Sequence, residues 1–96
     1  MKIDFNKSGD VLNIALDGRL DTTSAPELDS FIGKNYDGTG SIVIDCKKLA
    51  YISSAGLRVL LATQKKAKSA LKLVNVCDLV MEVFEMTGFA DILVIE

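Results

Sequence analysis

The chain has 96 residues, 49% of them hydrophobic and 25% charged, and a net charge of −2. That length holds one domain, 1–96, and the composition is that of a folded globular chain and excludes disorder. Eleven basic against 13 acidic residues give no general attraction to nucleic acid or to an anionic membrane surface.

In chain order, residues 3–5 and 11–16 read as strands joined across the turn Ser8-Gly9-Asp10. A first helix begins near Ser24, where Ser24 and Glu27 have capping-box spacing and Pro26 suits the first turn. Its apolar face is Leu28, Phe31 and Ile32. The turn Asp37-Gly38-Thr39-Gly40 follows. Residues 41–46 form the clearest strand, β-branched and apolar enough to be covered on both faces. A second helix spans about 54–68, with Leu57, Leu60 and Leu61 inward and Arg58 and Lys65 outward. Residues 71–76 are the next strand. A third helix opens on Asp78 as N-cap and closes before Gly88, with Leu79, Val80, Val83 and Phe84 inward. Residues 92–95 make a short last strand. This order predicts an α/β fold: a mixed sheet of four or five strands, mostly parallel after an initial hairpin, with about three helices packed on it.

The most informative stretch joins the central strand to the second helix: Ile44-Asp45-Cys46-Lys47-Lys48-Leu49-Ala50-Tyr51-Ile52-Ser53-Ser54-Ala55-Gly56-Leu57-Arg58. It resembles the signature of the STAS family, the domain of bacterial anti-sigma factor antagonists. There an apolar strand ends in Asp, a short loop follows, and a Ser-containing turn ending in Gly-Leu opens a helix. Leu16-Asp17-Gly18-Arg19-Leu20-Asp21 resembles the family's second-strand ending, and the resemblance spans essentially the whole chain. It implies a single STAS domain that binds an anti-sigma factor doubling as a serine kinase and so releases a sigma factor. It further implies inactivation by phosphorylation at the start of the second helix and reactivation by a metal-dependent phosphatase of the PP2C type. Aligned on Gly56-Leu57, the acceptor position falls on Ser54. The family's usual acidic residue before the acceptor is replaced here by Ser53, a second candidate hydroxyl. The Ser or Thr common after the acceptor is replaced by Ala55. The implied partner-binding set is Asp21, Ser53, Ser54, Ala55, Gly56 and Arg58.

A helix N-terminus tolerates negative charge, so a phosphate on Ser54 is expected to leave the fold intact while adding about −1.5 to −2 charges to a recognition surface. Asp21 and Asp45, if both are strand-end residues, would strengthen the negative field there. Each residue also has a plainer reading. Ser53 and Ser54 cap helices in many proteins without signalling, Asp21 and Asp45 suit loops, and Arg58 suits any solvated face. Lys65-Lys66-Ala67-Lys68 fits the dipole preference of a helix C-terminus. Met81 and Met86 read as core filling before adaptable contact surface.

Catalysis is not expected. Histidine is absent and no Lys lies in the signature turn, so neither serine has a base to take its proton. The glycines form no phosphate-cradling motif, and no cofactor or metal is implied. Cys46 and Cys77 stand apart and read as reduced packing residues. The start of the chain has no apolar leader core and no segment is long enough to cross a bilayer, so the expected location is the cytoplasm. Two other assignments fit the same family: a subunit of a membrane transport complex such as a lipid-trafficking ABC system, and a nucleotide-binding sensor.

Overall fold

The computed structural model describes residues 1–68 and 70–96. Strands β1 (Lys2–Ser8) and β2 (Val11–Leu20) form an antiparallel hairpin, with Gly9 in the turn at φ +62°. Helix α1 (Ala25–Asn35) leads to β3 (Ser41–Ile52), α2 (Ser54–Lys66) to β4 (Leu71–Val74), and α3 (Asp78–Thr87) with a 3₁₀ turn at Phe89–Asp91 to β5 (Val94–Ile95). The five strands lie in sequence order, and every pair after the hairpin is parallel. The expected mixed α/β sheet with three helices is therefore the fold.

Sequential order has a consequence for layering. Right-handed crossovers that all step in one direction put every helix on the same face of the sheet. One face is accordingly buried: Leu12, Ile14 and Leu16 of β2, Ile42 and Ile44 of β3, and Leu71 and Leu73 of β4 pack in a single core with Leu28 and Ile32 of α1, Leu60 of α2 and Phe84 of α3. The alternate residues Asn13, Ala15, Val43 and Val74 are only half-buried. The expectation that residues 41–46 are covered on both faces is thus corrected. Their outward positions lie on an open sheet face, and the β-branched run reflects strand propensity.

The largest departure concerns residues 47–52, expected as a loop and found within β3. Between Ala15/Asp45 and Asp17/Lys48, and again between Gly18/Leu49 and Arg19/Tyr51, β3 spends one more residue than β2. These are β-bulges. The first leaves Lys47 and Lys48 both exposed, breaking the period-two pattern that marks a strand. Other elements are shorter than expected. α2 stops at Lys66, not 68, and β4 at Val74, because Asn75 takes a left-handed conformation at φ +57°. The 3₁₀ turn absorbs the approach to β5.

Three end and face assignments change as well. The capping box at α1 is not formed, because the Ser24 hydroxyl donates to the Arg19 carbonyl oxygen instead, at 2.6 Å. The N-cap of α3 is Cys77, and Asp78 is the first helical residue. Leu79 is 55% and Met86 82% exposed, so neither fills the core, whereas Val80 and Phe84 are buried. Leu61 and Val83 are half-buried. Gly88 does cap α3, in the left-handed conformation at φ +80°. Both cysteines are free thiols; Cys46 is buried, and desolvation is the chief cause that pushes its thiol up to about 12.

Candidate functional site

In a parallel sheet the loops that start the helices all lie at the carboxyl ends of the strands. β4 stops at Val74, opposite Asp45, so the turn into α3 starts further back, whereas the turns after β2 and β3, with the N-termini of α1 and α2, share one end of the molecule. The β3–α2 junction is at its centre and has almost no loop. Ile52 ends the strand, Ser53 is the N-cap at φ −102°, ψ 175°, and Ser54 opens the helix. The Ser53 backbone N–H donates to the Leu20 carbonyl at 2.9 Å, which ties the start of α2 to the end of β2. The Ser53 hydroxyl oxygen accepts from the Gly56 N–H at 3.4 Å, and its carbonyl accepts from the Leu57 N–H at 3.0 Å. Ser53 is thus half-buried and engaged in capping, while Ser54 is exposed.

Gly56 shows why this turn needs a glycine. A Cβ there would meet Leu20 Cγ at 2.8 Å, Ile52 Cγ1 at 2.9 Å and the Leu20 carbonyl oxygen at 3.0 Å. The first turn of α2 therefore lies directly on the ends of β2 and β3, and any larger residue would lift it. Ala55 beside it is half-buried against the core. Gly56 is a packing residue that sets the height of Ser54; it is not itself presented to solvent.

Asp21 organises the adjacent turn. Its Oδ1 accepts from the backbone N–H groups of Thr23 at 3.0 Å and Ser24 at 3.1 Å. The Ser24 N–H is the chief cause that holds this carboxyl below its usual range, helped by Thr23, the Ser24 hydroxyl and Arg19. Because Asp21 follows Leu20, whose carbonyl holds Ser53, the structure brings Asp21, Ser53 and Ser54 together. Arg58 is exposed one helical turn beyond Ser54, on the same side of α2.

Asp45 does not join them. β3 continues for seven residues beyond it, roughly 20 Å at strand rise. It sits on the open sheet face, where Oδ1 accepts from Asn75 Nδ2 at 3.0 Å and the Lys47 N–H at 2.9 Å. Asn75 is the first cause of its lowered pKa. The expectation that Asp45 strengthens the field at Ser54 is corrected by the length of β3. Asp45, Asp4, Asn6 and Asn13 instead rim a shallow groove floored by Ala15, Val43 and Val74. Its carboxylates disfavour a polyphosphate there.

Two residues near the site escaped the sequence reading. The Arg19 guanidinium lies 4.2 Å from the centre of the Tyr51 ring, and its Nε is 4.0 Å from Asp21 Oδ2. Arg19 and Tyr51 are cross-strand partners only because of the second bulge. Their pairing becomes visible once β3 is known to run to Ile52. Among the described residues, no group of His, Cys, Asp or Glu is placed to hold a metal ion, and no helix is long and apolar enough to cross a membrane.

A mixed sheet in sequential order, with a serine-bearing helix start packed through glycine onto two strand ends, defines the class, and the comparisons with known proteins agree. The STAS domain model matches residues 2–96, and the chain belongs to the STAS domain family, of the anti-sigma factor antagonist type. It is 35% identical to BtrV of Bordetella bronchiseptica, which carries the name of an anti-sigma factor antagonist; the match covers 96% of this chain and 83% of that one. The fold is similar to a crystal structure of an anti-sigma factor antagonist from Mycobacterium paratuberculosis, with a TM-score of 0.86, 22% identity, and 98% and 83% of the two chains covered. It is also similar to the Bacillus cell fate determinant SpoIIAA in its phosphorylated form, with a TM-score of 0.74, 17% identity, and 99% and 91% covered.

Proposed function

We propose that this chain binds an anti-sigma factor that is also a serine kinase, thereby freeing a sigma factor, and that phosphorylation of Ser54 ends the interaction. A PP2C-type phosphatase then restores the hydroxyl, and the cycle runs in the cytoplasm. The observation that carries this reading is the division of labour between two adjacent serines. The Ser53 hydroxyl is occupied as the cap of α2, while Ser54 is exposed in the first helical turn. A kinase acting on this end of the molecule finds Ser54 without disturbing the cap.

The physics of the site supports a switch of docking over a switch of fold. A phosphate on Ser54 lies in the positive field of the α2 N-terminus, one turn from the exposed Arg58. It adds about −1.5 to −2 charges beside Asp21, whose carboxyl is already held ionised by its turn. A partner surface fitted to a neutral hydroxyl would have to bury that charge unpaired, at a cost of several kcal/mol. Asp21, Ala55 and Arg58 complete the surface offered to the partner, with Gly56 holding its shape. The partner-switching reading is also that of the family type, and SpoIIAA, of the same fold, has a phosphorylated form.

The test is incubation with the cognate kinase and ATP, followed by intact-mass measurement and peptide mapping. One added phosphate on Ser54, lost in Ser54→Ala and retained in Ser53→Ala, supports the proposal. A phosphate mapped elsewhere, or none, contradicts it.

A further inference from the structure

Charge is distributed unevenly along the chain. All 11 basic residues lie at or before Lys72, whereas residues 75–96 carry five acidic side chains and no lysine or arginine. Of those five, Glu96 pairs with Lys72 at 3.1 Å, but Asp78, Glu82, Glu85 and Asp91 make no ion pair among the described residues. The same segment is unusually apolar on its surface. Leu79, Met86, Ile92 and Val94 are four of the five large hydrophobic side chains found exposed among the described residues.

On α3 these two features are in register. Leu79, Val83 and Met86 stand at i, i+4 and i+7 and share one stripe of the helix, about 10 Å long at helical rise. Leu79 and Met86 are 55% and 82% exposed, and Val83 links them to the core. Glu82 borders the stripe, with Asp78 and Glu85 further round on the same flank, all exposed. The buried side of α3 is supplied by Val80 and Phe84, and of the second stripe only Val83 reaches the core, so the fold leaves Leu79 and Met86 uncovered. Isolated apolar residues on a surface need no explanation, but an ordered stripe rimmed by one sign of charge does.

We propose that the α3 stripe Leu79–Val83–Met86 docks an amphipathic helix of a partner protein whose apolar seam is flanked by Lys or Arg. Spacing at i, i+4 and i+7 is what a facing helix reads through its own seam, and basic flanking residues would meet Glu82 as they do across a coiled coil, with Asp78 and Glu85 adding to the negative field of that flank. The charge decides against other occupants. Two copies of α3 face to face would set their acidic flanks against each other, and an anionic bilayer would repel the same flank. This inference does not depend on phosphorylation of Ser54.

The test uses a synthetic amphipathic helix with leucine at a and d and lysine at e and g, titrated into the isotope-labelled chain and followed by amide chemical shifts. A matched peptide with glutamate at e and g is the control. The expected result is saturable shifts centred on residues 79–92 with the lysine peptide, weaker at high salt, and none with the control. Leu79→Ser with Met86→Ser should weaken binding at least about tenfold. Should that variant lose its native melting transition, Glu82→Lys with Glu85→Lys carries the test and should transfer binding to the glutamate peptide. Absence of saturable shifts, shifts centred on α2 or the open sheet face, or indifference to both variants overturns the proposal. So does concentration-dependent self-association through α3 without peptide.

Discussion

Two neighbouring serines do different physical work here, and substitutions should separate them. Ser53→Ala removes the oxygen that accepts the Gly56 N–H, a cap whose loss costs about 0.5–1 kcal/mol given its 3.4 Å length. A denaturant melt should show that loss while modification at Ser54 continues. Ser54→Ala should leave the melt within about 0.5 kcal/mol of the parent, since its side chain is exposed, and should abolish phosphate incorporation. Gly56→Ala is the opposite case. Alanine favours helix by about 1 kcal/mol, but its methyl group would sit at 2.8–3.0 Å from Leu20 and Ile52, including a backbone oxygen. Crowding of that kind costs about 1–3 kcal/mol, so the net expectation is destabilisation with a lower melting temperature. The residue scale is where the sequence was most legible. Ser54, Gly56 and the helix start were readable from the spacing Ser-Ser-Ala-Gly-Leu. The steric reason for Gly56 was not, because it rests on Leu20, 36 positions away.

At the scale of elements, what could be read depended on whether the local pattern survived. The helices of residues 54–66 and 78–87 keep an apolar period and were recognisable, with errors only at ends and on one face. Leu79 looked buried because a helical period alone gives Leu79 and Val83 one stripe and Val80 and Phe84 another. Which stripe meets the sheet is set by the crossover, a tertiary property. β3 was half-legible because its bulges put Lys47 and Lys48 side by side in solvent, which imitates a loop. That bulged extension carries β3 to Ile52, sets Tyr51 against Arg19, and separates Asp45 from the starts of α1 and α2. Asp45 instead fixes the turn after β4 through Asn75. Asn75→Ala should therefore raise the Asp45 titration midpoint toward the ordinary value of 3.8, as a carboxylate-carbon NMR titration would show. Unchanged titration would assign the lowered value to the Lys47 N–H.

For the whole molecule, one sheet face builds the core and the other stays open, while the starts of α1 and α2 gather at one end. This follows from five strands in sequence order and was only partly foreseen, since a mixed sheet was expected but its single helical layer was not. The pH dependence of stability belongs to this scale. Asp21, Asp37 and Asp45 all have carboxyls lowered on folding, chiefly by hydrogen bonds from Ser24, Thr39 and Asn75 respectively. A lowered folded pKa stabilises above the unfolded value and loses that contribution as pH falls through the folded one. From these groups, thermal stability should be nearly flat between about pH 7 and 5 and decline below about pH 4. A melt series over that range checks it; a decline already complete at pH 5 would point to other groups.

The central claim is that esterifying Ser54 changes docking and leaves the architecture alone. The most direct measurement pairs calorimetric affinity for the kinase partner with a thermal melt, on unmodified and stoichiometrically Ser54-phosphorylated protein. The account predicts an affinity loss of at least about a hundredfold, equivalent to about 2.7 kcal/mol, with a melting temperature shifted by no more than a few degrees. Equal affinities for the two forms, or a phosphorylated chain that has lost its cooperative transition, would contradict it.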